Sequence, residues 1–360
     1  LEGGGAERVI LTLLRHLDRS KFTPTLLVVD GRNAAYLSDV PSEIEFIDLK
    51  SSRLRFALPR IFFFICKRKP DVVFSTLGYM NVAMAILRAF LPAGPRFIGR
   101  EATIVSRSIQ SKRWPWFWRW LYRHFYSKLD LVVCQSQAMR DDLVTHFQFP
   151  VAQSVVVNNP VDLARINELS AAEVPCRWGE DDSLSAKSVK LLAAGSLYPV
   201  KGFDLLIEAL ALLDENYCLT ILGEGPLRSS LEREIAELGL SDRVRLAGFQ
   251  ANPYVWFARA DAFVLSSHHE AFPNVVLEAL ACGTPVISTP APGGAGEILE
   301  GLAECVLAQE ISAEALAEAI SVWAATDRKR VGRNAVKSYE LSNIMGKYES
   351  LLDHDIDGSD

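Results

Sequence analysis

The chain has 360 residues, 49% of them hydrophobic, which is enough apolar material for the cores of two domains. No run of 18 or more uncharged apolar residues occurs, so no membrane-spanning helix is expected, and no signal peptide is read. The net charge of −6 is uneven: residues 1–160 carry 22 lysines and arginines against 13 acids, and residues 161–360 carry 16 against 31. The two halves therefore present different electrostatic surfaces. Six cysteines (66, 134, 176, 218, 282, 305) contain no C-x-x-C pair, and all but Cys176 lie in apolar or helical runs. That pattern reads as buried free thiols in a reducing compartment.

The chain opens on a glycine turn, Gly3-Gly4-Gly5, running straight into a helical pattern at 7–17. Such a turn normally follows a buried strand, and none precedes it, so a fragment lacking its first N-terminal strand is expected. Short apolar runs then alternate with helical periodicity. Strands are predicted at 25–29, 45–47, 71–75, 96–98, 129–134 and 154–157, and helices at 54–67, 81–91, 114–127 and 137–147. After Asn158-Asn159-Pro160-Val161-Asp162 and a polar, irregular stretch at 170–188, the scheme repeats. Here strands are predicted at 189–194, 218–222, 244–246, 262–265, 286–288 and 305–306. Helices are predicted at 203–213, 226–238, 253–258, 275–281 and 313–323, with a last one at about 338–352. This alternation specifies an α/β protein with parallel sheets covered on both faces. The domains are expected at 1–160 and 161–337, with 338–352 packing back on the first.

Four strand-to-helix segments can carry chemistry. The most informative is HHEAFPNVVLEALACGTPVIST at 268–289, with Glu270 in a loop and Glu278 on the following helix. In open α/β sheets ligands bind beyond the carboxyl ends of strands, and a helix start there offers N–H groups to phosphate. A carboxylate nearby accepts hydrogen bonds from vicinal hydroxyls, and phosphate plus diols describes a nucleotide sugar. The second segment, GSLYPVKG at 195–202, puts Lys201 within reach of a diphosphate, although a surface lysine of a βα loop has the same pattern. The third, Gly223-Glu224-Gly225-Pro226, is also what an ordinary tight turn with proline at the first helical position looks like. The fourth is the glycine turn at 3–5, where backbone can approach a ligand.

In their order and spacing these segments, with Gly248-Phe249 and the E-x7-E block followed by C-G-T-P, resemble the family 4 retaining glycosyltransferases. The resemblance extends to the GGGAERV turn and to Asn159-Pro160-Val161-Asp162, and so spans nearly the whole chain. It implies the GT-B architecture of two facing Rossmann-like domains, the first binding acceptor and the second a UDP-sugar. It makes Glu270 the acid facing the donor sugar and Lys201 the cation on the diphosphate, the two catalytic residues. Ala271, Phe272, Pro273 and Asn274 would surround sugar hydroxyls and phosphate, and Glu278 would hold the ribose. Gly4, Gly5, Ser196, Gly223, Glu224 and Gly225 would line the donor, with Phe249 and Gln250 near its base. Family members often carry arginine where this chain has Ser196, which leaves Lys201 more of the leaving-group charge. Where the family often has a loop histidine after the fourth strand, this chain has Gly99-Arg100-Glu101, so Arg100 or Glu101 is expected to contact donor or acceptor. None of the six histidines fits that position. No metal and no other cofactor is expected: the D-x-D patterns at 353–355 and 355–357 lie in the acidic tail.

Two stretches depart from a generic member. Residues 107–128, RSIQSKRWPWFWRWLYRHFYSK, hold four tryptophans, six lysines and arginines and no acid; residues 53–69 hold six basic residues, three consecutive phenylalanines and no acid. Both compositions suit an anionic membrane surface; aromatic core with solvated basic edges is the competing reading. Nucleic acid is set aside on the resemblance. The expected function is transfer of a hexose or N-acetylhexosamine from a UDP-sugar to a lipid-linked or surface-glycan acceptor, by a cytoplasmic enzyme peripheral to the inner membrane face. A UDP-sugar epimerase of the same fold and a non-catalytic nucleotide-sugar-binding subunit are the alternatives.

Overall fold

The computed structural model describes residues 5–32, 40–91, 94–173, 188–327 and 329–353. Gly4, Cys176, the acidic run at 180–182 and the tail from 354 lie outside the described residues. The chain forms two compact units, Leu1–Pro160 with Leu341–Asp360, and Val161–Glu340.

The first unit contains α1 (Gly5–His16), β1 (Thr25–Val28), β2 (Glu45–Asp48), α2 (Leu54–Arg68), β3 (Val72–Thr76), α3 (Gly78–Arg88) and β4 (Arg96–Arg100). These are followed by α4 (Val105–Gln110), α5 (Pro115–Phe125), β5 (Leu131–Cys134), α6 (Gln137–Phe147) and β6 (Ser154–Val156). Strands β3-β4-β5-β6 form a parallel sheet in that order, and β1 pairs with β2, also in parallel. Strand β5, LVVC, is buried along its length, as a strand covered on both faces must be. On one face Val9, Leu13 and Leu17 pack with Ile98, Leu131 and Val133, and with Ile344, Met345 and Tyr348 of the last helix, Leu341–Leu352. Helix α6 starts where the Ser136 side chain accepts from the Met139 N–H, a cap that satisfies one of the free amides of the first turn. Helix α5 starts at Pro115, a residue whose missing N–H costs nothing at the first helical position.

The second unit runs α7 (Leu163–Ser170), β7 (Val189–Ala194), α8 (Phe203–Ala211), β8 (Tyr217–Leu222), α9 (Arg228–Glu237), β9 (Val244–Gly248) and α10 (Tyr254–Phe257). It continues through β10 (Ala262–Leu265), α11 (Asn274–Ala281), β11 (Val286–Ser288), α12 (Ala295–Leu299), β12 (Val306–Leu307) and α13 (Ala313–Ala324). All six strands are parallel, in the order β12-β11-β10-β7-β8-β9. The first strand, β7, is central, and the order reverses between it and β10. That is the topological switch point of a doubly wound sheet, the place where loops diverge and leave a crevice. Two apolar layers sandwich the sheet, one built around Leu206, Leu210, Leu316 and Trp323, the other around Trp256, Phe263, Val276 and Leu280. The unit closes on itself: Val161 bridges Glu340 in parallel, and the Val161 N–H donates to the Tyr339 carbonyl at 2.8 Å.

Candidate functional site

The loops after β7 and β10 meet at the switch point. The loop after β7 tightens into a single 3-10 turn, Pro199–Lys201, and ends at Gly202 with φ of 58°. A Cβ on Gly202 would overlap the Ser266 carbonyl oxygen, so the backbone needs glycine to lie this close to the second loop. Two hydrogen bonds hold the approach: the Ser266 hydroxyl donates to the Lys201 carbonyl at 2.8 Å, and the His268 N–H donates to the Val200 carbonyl at 2.9 Å.

This join aims Lys201 at Glu270. The Lys201 ammonium lies 2.5 Å from Glu270 Oε1, and the Ser267 hydroxyl donates to the same oxygen at 2.7 Å. Both charged side chains are largely buried, so the pair is shielded from the screening that weakens surface ion pairs. Lys201 uses one of three N–H donors on Glu270. Behind Glu270, its N–H donates to the Pro292 carbonyl at 3.1 Å and the Gly294 N–H donates to the Ala271 carbonyl at 3.0 Å. Between them Gly293, at φ of 132°, packs directly on the Glu270 carbonyl.

Phe272 and Pro273 are buried, Phe272 against the Tyr339 ring at 5.9 Å, and they lead into Asn274 at the start of α11. Glu278 follows one turn later, half-buried, with the Tyr254 hydroxyl 3.5 Å from its Oε1. The next turn carries Cys282, whose thiol is pushed up to about 12, first by burial and then by Glu278. It stays protonated at neutral pH and is a poor nucleophile.

Loops after β8 and β9 join the same edge. The Leu197 N–H donates to the Glu224 carbonyl at 3.0 Å, and the Gly223 N–H donates to the Gly248 carbonyl at 2.8 Å. Gly225 packs its backbone on Leu197. The Glu224 side chain points to solvent and pairs with Arg228 at 2.7 Å. Ser196 and Phe249 are exposed, and the Gln250 amide donates back to the Ala247 carbonyl at 2.8 Å. Residues 195–202, 223–225, 249–250 and 270–278 thus share the carboxyl edge of one sheet. Among the described residues no group of three or more His, Cys, Asp or Glu side chains is placed to hold a metal ion. Gly5 opens α1 in the first unit.

Arg100 and Glu101 sit elsewhere, at the end of β4 in the first unit, and both are fully buried. The Arg100 guanidinium donates to the Tyr348 hydroxyl at 3.2 Å, to Thr76 Oγ1 at 3.4 Å and to Asn159 Oδ1 at 2.5 Å. Glu101 Oε1 accepts from the Tyr126 hydroxyl, from Asn81 Nδ2 at 3.3 Å and from the Tyr122 hydroxyl at 3.4 Å. Its Oε2 has no hydrogen-bond partner. Burial holds the Glu101 carboxyl above the usual carboxylate range, against the three side-chain hydrogen bonds that pull it down.

Comparison with known proteins identifies this arrangement. Residues 3–165 match the family model described as Glycosyltransferase Family 4, and residues 180–338 match that of Glycosyl transferases group 1. The N-acetylgalactosamine-N,N'-diacetylbacillosaminyl-diphospho-undecaprenol 4-alpha-N-acetylgalactosaminyltransferase of Campylobacter jejuni is 31% identical over 83% of this chain and 80% of its own length. The chain belongs to glycosyltransferase family 4. A shorter match links it to the lipopolysaccharide core biosynthesis glycosyltransferase LpsE of Rhizobium meliloti, 45% identical over 29% of this chain and 30% of that one. The crystal structure of Anabaena Alr3699/HepE in complex with UDP and glucose superposes with a TM-score of 0.75 at 20% identity, covering 97% of this chain and 96% of that one. This family 4 glycosyltransferase therefore has the GT-B fold class expected from its sequence, as two α/β units with parallel sheets.

Two contributors to the site lie outside the segments the sequence singles out, Ser267 and Gly293, while Gly202 closes the GSLYPVKG segment. Serine three residues before Glu270 was visible in the SSHHE run, and Pro292-Gly293-Gly294 was visible as a glycine doublet. Neither announces its partner, because both act across loops distant in sequence.

Proposed function

We propose that this enzyme transfers a hexose or N-acetylhexosamine from a UDP-sugar, with retention and without a metal, to a polyprenyl-diphosphate-linked glycan at the cytoplasmic membrane face. The product would be a lipopolysaccharide or related surface polysaccharide. The observation that carries the reading is the Lys201–Glu270 pair at the switch point, 2.5 Å apart and largely buried. Support for the donor comes from the Anabaena structure with UDP and glucose, and support for the acceptor from the undecaprenol-linked substrate named for the Campylobacter relative.

Glycosyl transfer needs a stabilised leaving diphosphate and tolerance of positive charge at the anomeric carbon. The two remaining N–H donors of Lys201 suit the diphosphate. Glu270 is fixed by Lys201 and Ser267 through Oε1, and its other oxygen would serve the sugar. Glu278 accepts the ribose hydroxyls, and the start of α11 adds its dipole to the phosphate charge. With Cys282 protonated and Glu270 tied to Lys201, the acceptor hydroxyl attacks the anomeric carbon on the face the diphosphate leaves: the new C–O bond forms as the bond to the diphosphate breaks, the hydroxyl proton passes to the departing diphosphate, and configuration is retained.

The test is product mass spectrometry over a panel of UDP-sugars with polyprenyl-diphosphate-linked acceptors. Transfer of one sugar is expected, with Glu270→Ala lowering kcat by about 100- to 1000-fold, the range for losing one preorganised electrostatic contact. Unchanged transfer by Glu270→Ala would remove the site. Conversion of the UDP-sugar in the absence of acceptor would make the enzyme an epimerase.

A further inference from the structure

We infer that helix α5 is a membrane-docking element that lies in the headgroup layer of an anionic bilayer through its outward aromatic stripe. Helices bury apolar residues inward, and α5 meets that need with Leu121, Tyr122 and the following Tyr126, all buried. Tyr122 packs on Phe147 at 5.2 Å and Tyr126 on Phe149 at 5.7 Å. The opposite stripe repeats every three to four residues and is aromatic where a solvated stripe would be polar. Trp116 is 71% exposed, Trp120 45% and Phe117 37%, with Trp114 at 54% just before the helix. Phe117 stacks on Trp120, and Trp120 on His124, so the exposed rings form a continuous ladder. These aromatics are not core, and a patch of this kind on a soluble domain marks an interaction site.

Charge selects the occupant. The ladder is flanked by Lys112, Arg113, Arg123 and Lys128, all exposed, and no acid occurs from 107 to 128. Arg113 lies over the Trp114 ring at 5.1 Å. Tryptophan beside arginine is the pairing that partitions to a lipid headgroup region, rings at the acyl boundary and guanidinium groups on phosphate. A second helix of the same unit repeats the chemistry: α2, which like α5 packs against α3, exposes Phe63 at 68% and Phe56, with Arg55 4.8 Å over the Phe56 ring. No described helix is long and apolar enough to cross a membrane, and a docked surface helix does not need to be.

The inference deepens the proposed reaction, because a polyprenyl-linked acceptor is presented at such a surface, and it rests on that reading for its purpose alone. The experiment is flotation of the purified enzyme with vesicles of phosphatidylcholine, with and without an equal share of phosphatidylglycerol, in low and high salt, and with no donor or acceptor. Binding to the phosphatidylglycerol vesicles with a blue shift of tryptophan emission is expected. Trp116→Ala with Trp120→Ala should weaken it roughly 100-fold, and Arg113→Gln with Arg123→Gln about fivefold per charge removed. These exposed substitutions should leave the circular dichroism spectrum and turnover of a water-soluble acceptor analogue unchanged. No vesicle binding by the wild type overturns the inference, as does equal binding by the tryptophan variant. So does a concentration-dependent dimer that the tryptophan variant abolishes while vesicles are ignored. Vesicle binding without glycosyl transfer would instead sink the proposed reaction and leave the docking helix standing.

Discussion

Gly293→Ala is the sharpest probe of how Glu270 is held. At φ of 132° the new methyl group would be strained by the backbone alone, and its Cβ would overlap the Glu270 carbonyl oxygen. Both obstacles are main-chain atoms, so no side-chain rotation relieves them. The two segments must part by roughly 2 Å to reach ordinary van der Waals contact. That separation breaks the bonds from Glu270 to Pro292 and from Gly294 to Ala271, now 3.1 and 3.0 Å. Each is worth about 1 kcal/mol, and the forced conformation adds about 1–3 kcal/mol. A total loss of about 3–5 kcal/mol follows if the loop cannot relax, less if it does. A displacement of even 1 Å at the reacting centre costs about 100-fold in rate, so kcat should fall at least that far. Gly296→Ala is the control three residues on, in α12, where a Cβ meets nothing within 4 Å. It should leave kcat unchanged and raise stability by up to about 1 kcal/mol, as alanine outperforms glycine in a helix. Steady-state kinetics well below the melting temperature, with differential scanning calorimetry, measure both. Wild-type kcat and melting temperature in Gly293→Ala would show that Glu270 is not braced from behind.

Glu101→Gln tests the buried acid of the first unit. The native carboxyl titrates above its unfolded value, so its contribution to stability is complete below about pH 4.3 and is lost as pH rises through the native pKa. Glutamine keeps an oxygen for Tyr126, Asn81 and Tyr122 and has no proton to lose. Its melting temperature should overtake that of the wild type as pH rises toward neutrality; parallel pH profiles would refute a raised Glu101. Glu278→Ala should raise KM for the UDP-sugar by about 10- to 100-fold, the loss of one or two charge-assisted hydrogen bonds, with a smaller change in kcat. An unchanged KM would take the ribose away from Glu278.

Long amphipathic and buried elements were legible in the sequence. Strand β8, YCLTIL, and strand β10, AFVL, stand where continuous apolar runs put them, and the E-x7-E block lies on the loop and helix its periodicity specified. Short helices are legible unevenly: α10 and α11 stand where 253–258 and 275–281 are predicted, whereas α4, α7 and α12, of five to eight residues, have too few turns to establish a period. The site was legible as a set of segments but not as contacts. Strand-to-helix position and the resemblance make Lys201 and Glu270 candidates, and the close seating of Gly202 on Ser266 brings them to 2.5 Å. The resemblance puts Arg100 or Glu101 against donor or acceptor, and the structure adds that both are buried among polar partners at the end of β4, on opposite sides of the chain. One enters the layer with Tyr348 and Asn159, the other the layer with Tyr122, Tyr126 and Asn81. Polar partners for these two groups come from residues 20 to 248 positions away, a distance no local pattern spans.

The bridge between Val161 and Glu340 also gives the chain a grammar for exchange. The segment that carries the whole six-stranded sheet begins and ends side by side. The chain therefore enters and leaves this unit through two adjacent junctions. Recombination between relatives can change the sheet edge bearing Lys201, Glu270 and Glu278 in a single event, while the α5 ladder and the buried Arg100 cluster stay with the host.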